Sequence, residues 1–581
     1  MLATVVGIFV AGIISIFLFF GIVGAIVSSA EDQEVKTSEH SILQLKLDYP
    51  IQDRSANDPF AQMDFSDFSI KNTPGLNEIV RAIQKAKEDP NIDGIYLSAP
   101  TVLGGMASTQ EIRNALSDFK KEGKFIVAYA TAFDQKGYYL ASVADHLYLH
   151  PEGMVLFSGL NAQVSFYKGA LDKLGIDMQI IRHGQFKSAV EPFMLDKMSP
   201  ANKKQTEALI NSVWAEILEP ISVSRSKSLK ELNAYADELA LNTAQSVLDL
   251  GLVDDLKYPD EVEDYLTSFS GKEDKDDLNL ISVGNYLKTS FYKKGSSARN
   301  RIAVIYASGE IMAGKGSDKY IGEKNIVKAL RSARENNRVK AVVLRVNSPG
   351  GSALVSDLIW REVELTKAEK PVIASMSDVA ASGGYYISCA ANTIYAEPTT
   401  ITGSIGVFGM IPNTEKLMNE KLGITFDQVM TNKNSDFMSI TKPLTTYQRA
   451  VILKSIETTY SNFVKKVAKG RSMDFDAVDA IGQGRVWTGE QAMEIGLVDK
   501  MGGLDEAIKA AAAAADLTDY RLLSLPVQKD PITKMIDDLS GQSSIRLEKE
   551  FGVYAKYIRY FNNLTNRDMI QTRLPFNLEI N

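Results

Sequence analysis

Ala341-Val342-Val343-Leu344-Arg345-Val346 runs straight into Asn347-Ser348-Pro349-Gly350-Gly351-Ser352, and this stretch decides the fold class. Apart from Arg345, the first six residues are apolar and mostly β-branched, as in a buried strand. The glycines allow a tight turn, after which residues 352–368 read as a helix. Upstream, residues 301–307 form another apolar, β-branched run, and Glu323–Glu335 between the two is rich in helix formers. Downstream, residues 371–376 make a third strand. The series β-α-β-α-β predicts an α/β domain.

The same series occurs earlier in the chain. Ile92-Asp93-Gly94-Ile95-Tyr96-Leu97 matches Val339-Lys340-Ala341-Val342-Val343-Leu344 at an offset of 247 (339 − 92). Ile79-Val80-Arg81-Ala82-Ile83 matches Ile326-Val327-Lys328-Ala329-Leu330, and Gly137-Tyr138-Tyr139-Leu140 matches Gly384-Tyr385-Tyr386-Ile387, both again at 247. Leu174-Gly175-Ile176 matches Leu422-Gly423-Ile424 at 248, and Gly251-Leu252-Val253-Asp254 matches Gly496-Leu497-Val498-Asp499 at 245. A nearly constant offset marks a tandem duplication. The halves are expected at 40–270 and 298–525, joined by a polar linker at 271–297. Residues 53–73, polar and with no partner in the second half, read as an inserted loop. The tail, 526–581, has no repeat partner. Its Tyr554, Tyr557, Tyr560 and Phe561 suggest a helix packed on its own domain or on another subunit.

With 581 residues, two or more domains are expected, and 45% apolar against 23% charged residues is a globular balance. The net charge of −8 comes without a basic block, so a nucleic-acid partner is not expected. A single cysteine, Cys389, excludes an intramolecular disulfide and a cysteine-based metal site; it reads as a buried helix residue. No metal-ligand cluster or cofactor motif stands out. Residues 1–30 carry no charge and are apolar over most of their length, long enough for a transmembrane anchor. Ser28-Ser29-Ala30 would also suit signal cleavage.

Two glycine-bearing turns could carry chemistry. Amides at Gly350 and Gly351 suit an oxyanion, a phosphate or a plain turn, and no P-loop lysine follows. Ala380-Ala381-Ser382-Gly383-Gly384-Tyr385-Tyr386 places a serine between a strand and an apolar helix, as a nucleophile elbow or as an N-cap. A serine nucleophile needs a base. The four histidines are His40, His146, His150 and His183, so no Ser-His-Asp triad fits within the second half. Lysine can substitute only when neutral; with a free pKa of ~10.4, under ~0.1% is neutral at pH 7, so the base must be enclosed. Ser224-Arg225-Ser226-Lys227 has S-x-x-K spacing but lies in a polar, solvated stretch. Lys187 has Phe186, Ala189, Val190 and Phe193 close by.

Phe186-Lys187-Ser188-Ala189-Val190-Glu191-Pro192-Phe193, followed by Met198-Ser199-Pro200, resembles the catalytic-lysine segment of the bacterial signal peptide peptidase A family (protease IV, peptidase family S49) in its long, duplicated form. Residues 380–386 resemble its nucleophile segment, and Thr402-Gly403-Ser404-Ile405-Gly406 a third family motif. The resemblance covers nearly the whole chain. It implies Ser382 as nucleophile, Lys187 as general base and Ser404 as the group orienting the lysine, with Gly350, Gly351 and Gly383 supplying the oxyanion hole. It also implies a ClpP/crotonase-like spiral in each half and a homotetramer. The chain would be anchored in the cytoplasmic membrane with both halves on the extracytoplasmic side, hydrolysing hydrophobic peptides such as cleaved signal peptides. Ser377-Asp378-Val379 departs from the Gly and Met of related sequences, which bears on the specificity pocket. Subtracting 247 from 382 gives Gln135 and adding 248 to 187 gives Ser435, so each half keeps one member of the pair. An acyl-CoA hydratase or thioesterase, and a catalytically silent membrane scaffold, are the alternative readings.

Overall fold

The computed structural model describes residues 7, 35–55, 63–64, 69–70, 73–269, 278–293, 297–528 and 570–573. The expected anchor (apart from Gly7) and the aromatic segment at 554–561 lie outside the described residues. Among the described residues no helix is long and apolar enough to cross a membrane.

Two parallel sheets carry the duplication. The first runs Asp255–Leu256, His146–Leu149, Phe125–Ala130, Ile92–Ser98, Ser41–Lys46, Leu280–Ser282. In the second, Lys500–Met501, Thr393–Ala396, Val372–Ala381, Val339–Ser348, Arg301–Ser308 and Arg521–Leu525 neighbour one another in the same sequence. The strand starts 393 − 146, 372 − 125 and 339 − 92 all differ by 247. The second sheet has an added branch, Ile401–Gly403 and Val486–Thr488, against the far end of Val372–Ala381. Helices on the sheet faces bury the apolar runs, giving separate cores around Leu97, Ile126 and Leu147 and around Leu344, Ala374 and Ile394. Each half also has a 26-residue helix, Pro200–Arg225 and Thr446–Arg471, capped by the hydroxyls of Ser199 and Thr445.

One expectation needs correction. Leu280–Ser282, inside the expected linker, pairs parallel with Ser41–Lys46, and Tyr286 is buried in the first core. The first unit therefore ends on an edge strand equivalent to Arg521–Leu525; two apolar residues, Leu280 and Ile281, were too short a run to show it. Asp53 lies in a loop, as expected, and its carboxylate is buried against Arg345 Nε at 2.8 Å.

A third sheet crosses between the halves. Its order is Tyr320–Gly322, Glu310–Met312, Gly350–Ser352, Ile570–Arg573, Val407–Asn413, Asp177–His183. Asp177–His183 comes from the first half and pairs antiparallel with Val407–Asn413 of the second. Ile570–Arg573, from the tail, sits between two strands of the second half.

Candidate active site

Strand Val372–Ala381 ends at Ser382, and helix Gly383–Ser388 begins at once. The reversal forces Ser382 to φ 56°, ψ −111°, a costly conformation for a residue with a Cβ. It is held by Ser382 N donating to Gly403 O (2.8 Å) and by Tyr386 N donating to Ser382 O (2.9 Å). Gly384 is required by close approach: a Cβ there would meet Ser348 O at 2.6 Å. The serine is thus presented at the carboxyl end of the sheet, fully buried.

Lys187 arrives from the other half by strand register. The antiparallel ladder ends on the pair His183–Val407, from which the two segments run on side by side in opposite senses. Four residues beyond His183 is Lys187; three before Val407 is Ser404. Lys187 Nζ lies 2.8 Å from Ser382 Oγ, 3.0 Å from Ser404 Oγ and 3.2 Å from Ser404 O. Ser404 itself has φ 51°. Lys187 is fully buried, and among the described residues no carboxylate forms an ion pair with it. Burial alone pulls its pKa well below the ordinary lysine value. A neutral amine has two N–H donors and one lone pair. Those fit Ser404 O and Ser404 Oγ as acceptors and the Ser382 hydroxyl as donor. Ser404 Oγ in turn reaches Gly484 O at 3.4 Å.

A bracket at 482–485, which sequence reading missed, ties the lysine segment to the Ser404 turn. Gln483 O accepts from Phe186 N (3.0 Å), Gly484 N donates to Ile405 O (2.7 Å), and Arg485 O accepts from Ser404 N (2.7 Å). Gly484, at φ +81°, packs on the lysine backbone: a Cβ there would meet Lys187 Cβ at 2.6 Å. Tyr460 Oη accepts from Gln483 N and Gln483 Nε2, each at 3.2 Å, and donates to Asp479. The pattern Gly482-Gln483-Gly484 was the only sequence signal, and glycines alone do not name a partner. Glu191, within the lysine motif, is structural: it accepts from Ser199 N, Ser199 Oγ and Asn202 Nδ2.

Gly350 and Gly351 have φ +95° and +153°. Gly350 N donates to Ser348 Oγ at 3.2 Å, so that amide already has a partner. A Cβ on Gly350 would meet Thr572 O at 2.1 Å and Gly383 N at 2.7 Å. Gly383 N, in the first turn of its helix, has no intrahelical acceptor. Gly351 pairs with both Ile311 and Thr572, and Thr572 Oγ1 donates to Gly351 O at 3.2 Å. The tail strand therefore lies along the glycines beside Ser382.

The remaining candidates fall elsewhere. Gln135, the repeat equivalent of Ser382, is buried and accepts from Ser158 N and Gly159 N, and Ser435 is exposed. Asp378 lies where the halves meet. It reaches into the first half and caps helix Met106–Phe119, accepting from Ser108 N (2.8 Å) and Ser108 Oγ (2.7 Å); burial raises its pKa. Ser224 and Ser226 are exposed, and Ser224 Oγ accepts from Arg113. Cys389 is buried, its thiol pushed up to about 12 by burial.

Two segments, residues 118–270 and 364–518, match the sequence model of Peptidase family S49. Protease 4 of Salmonella typhi is 38% identical over 477 residues, covering 80% of this chain and 76% of that protein. The chloroplastic serine protease SPPA of Arabidopsis thaliana is 34% identical, covering 86% of this chain and 74% of that one. Protease 4 of Haemophilus influenzae is 36% identical, covering 83% and 80%. With its two family segments on two equivalent domains, this chain belongs to peptidase family S49 and is a serine peptidase.

Proposed function

We propose that the chain is a membrane-anchored endopeptidase using a Ser382–Lys187 dyad on hydrophobic peptides, cleaved signal peptides among them. The observation that carries this is the fully buried amine without an acidic partner, 2.8 Å from a serine hydroxyl at a strained turn. Neutral Lys187 takes the Ser382 proton as Oγ attacks the peptide carbonyl. The oxyanion is met by backbone amides of the glycine turns, with Gly383 N the best placed of the three glycines. Collapse breaks the C–N bond, and the leaving amine takes the proton from Lys187. The same lysine then deprotonates water, which hydrolyses the acyl-serine and returns the hydroxyl. Ser404 holds the amine so that its lone pair faces Ser382. An acyl-CoA hydratase or thioesterase would use the glycine amides but leave the serine–lysine pair unexplained.

The rest of the reading follows the family resemblance: a ClpP/crotonase-like spiral in each half, residues 1–30 as the anchor, both halves on the extracytoplasmic side of the cytoplasmic membrane, and a homotetramer. The test is turnover of a fluorogenic hydrophobic peptide by the full chain and by Ser382→Ala and Lys187→Ala. Lys187→Ala is expected to lower turnover by about 10²–10⁴-fold, the worth of a positioned acid–base group, and Ser382→Ala, which removes the nucleophile, by at least as much. Equal turnover in all three would remove the dyad.

A further inference from the structure

The strand that carries Ser382 does not run evenly to its end. Met376 lies opposite Val346 and Ala380 opposite Ser348, so four steps on Val372–Ala381 face two on Val339–Ser348. The surplus is a bulge at Ser377, Asp378 and Val379. A bulge bends its strand and re-aims the side chains that follow. The strand also changes its other neighbour here. Ile373, Ala374 and Ser375 pair with Thr393, Ile394 and Tyr395, whereas Val379, Ala380 and Ala381 pair with Ile401, Thr402 and Gly403. Ser382 follows at once, its amide donating to Gly403 O. Where the serine stands against Lys187 therefore depends on how the bulge is held.

Each residue of the bulge is tied to the first half. Ser377 Oγ accepts from Arg345 Nη2 (3.0 Å), whose guanidinium pairs with Asp53 and Glu111. Val379 N donates to Asn347 Oδ1 (3.3 Å), and Asn347 Nδ2 donates to Asp53 Oδ2 (3.0 Å). Those two links pass through second-half side chains. Asp378 crosses directly, at the start of helix Met106–Phe119. The N-cap of that helix, Gly105, has no side chain to offer, and Asp378 supplies the acceptor for Ser108 N and Ser108 Oγ. The fit is close: a Cβ on Gly105 would meet Asp378 Cγ at 2.1 Å. The half without the serine differs. At the offset of 247, Thr131 and Ala132 are the equivalents of Asp378 and Val379, and both are exposed.

We propose that Asp378 is a positioning residue for the reaction: by capping a first-half helix it pins the bulge, and so holds Ser382 Oγ within reach of Lys187 Nζ. Asp378 acts on the proposed Ser382–Lys187 pair, on which this role rests. Its own hydrogen bonds go to Ser108, so its effect on rate is one of aim. A misplacement of about 1 Å between reacting groups is worth up to about 10²-fold in rate.

The test uses the full chain, with turnover of a hydrophobic peptide counted per Ser382 titrated by a fluorophosphonate. Loss of folded enzyme then does not register as loss of rate. Asp378→Ala should lower kcat per titrated site by about tenfold and leave KM within about twofold. Asp378→Asn should stay within about threefold of the parent, because its Oδ1 still accepts from Ser108 N and its amide donates to Ser108 Oγ. Gly105→Ala puts a methyl where the carboxylate sits. It should slow the enzyme as Asp378→Ala does, and the two together should cost no more than either alone. Calorimetry should keep one unfolding endotherm throughout, because the halves stay docked. Four results would overturn the inference: parental kcat per site in Asp378→Ala, additive losses in the double variant, Asp378→Asn as slow as Asp378→Ala, or a split endotherm. A parent that the fluorophosphonate does not label would remove the dyad and this role with it. A labelled parent with unmoved variants would remove this role alone.

Discussion

At Lys187 the proposed dyad trades stability for function. Its folded pKa lies below the unfolded value of ~10.4, so between the two values the unfolded chain binds more protons than the folded one. Stability therefore rises with pH through that window, and at neutral pH the buried amine is a net cost. Lys187→Met should abolish turnover and raise the melting temperature, by about 2–4 °C for each kcal/mol recovered. A melting temperature that falls would mean that the contacts to Ser382 and Ser404 outweigh desolvation. The same neutral amine sets the pH profile: turnover should fall as pH drops through the folded pKa, with that limb well below the ordinary lysine range. Tyr460→Phe tests how the amine is kept dry. It removes the hydroxyl that holds Gln483 and, through Gly484, the lysine backbone. Water entering the site would raise the lysine pKa and move the acid limb to higher pH, while kcat/KM falls by about tenfold, ~1.4 kcal/mol. A limb that stays put would reduce Tyr460 to general packing.

At the scale of elements, what is locally coded was legible and what is paired at a distance was not. Apolar runs at 301–307, 341–346 and 371–376 marked Arg301–Ser308, Val339–Ser348 and Val372–Ala381, because burial on both faces leaves a continuous apolar signal. Ser382, Lys187 and Ser404 could be named from the sequence, but periodicity says nothing of which strand of one half meets which of the other. The ladder between Asp177–His183 and Val407–Asn413 was thus hidden, and so was the tail strand, whose Ile570-Gln571-Thr572-Arg573 is too short and polar to stand out. That strand occupies an edge beside Ser382, and an extended substrate that used the same edge would have to displace it. Thr572→Pro removes a ladder donor and the hydroxyl bonded to Gly351. If the tail competes, KM for a peptide reporter should fall by about five- to tenfold, since apparent affinity scales with the open fraction. The turnover number should hold; an unchanged KM would mean that the track lies elsewhere.

For the whole molecule, activity through the proposed dyad would depend on how firmly the two halves are docked, because the amine and the hydroxyl come from different ones. The joint is polar at its centre. Arg345, fully buried on Val339–Ser348, donates to Asp53 at 2.8 Å and Glu111 at 2.5 Å, both from the first half, and to Ser375 Oγ and Ser377 Oγ of the second. Beside it, Asp378 caps a helix of the first half. Three charged groups in such a place add little over apolar packing of equal volume, but removing Asp53 leaves Arg345 with Glu111 as its one carboxylate and a buried Nε without its acceptor, at a cost of about 1–3 kcal/mol. The arrangement favours one docked geometry more than it adds stability. Asp53→Ala should therefore weaken docking specifically. Calorimetry should show the unfolding endotherm split in two as the halves uncouple, and turnover should fall because Lys187 no longer dwells beside Ser382. The combined variant Asp53→Leu, Glu111→Leu and Arg345→Met removes every charge of the cluster at similar volume, and should bring back a single endotherm. If Asp53→Ala keeps one transition at the parental midpoint, the cluster does not join the halves, and the strand ladder that carries Lys187 holds them by itself.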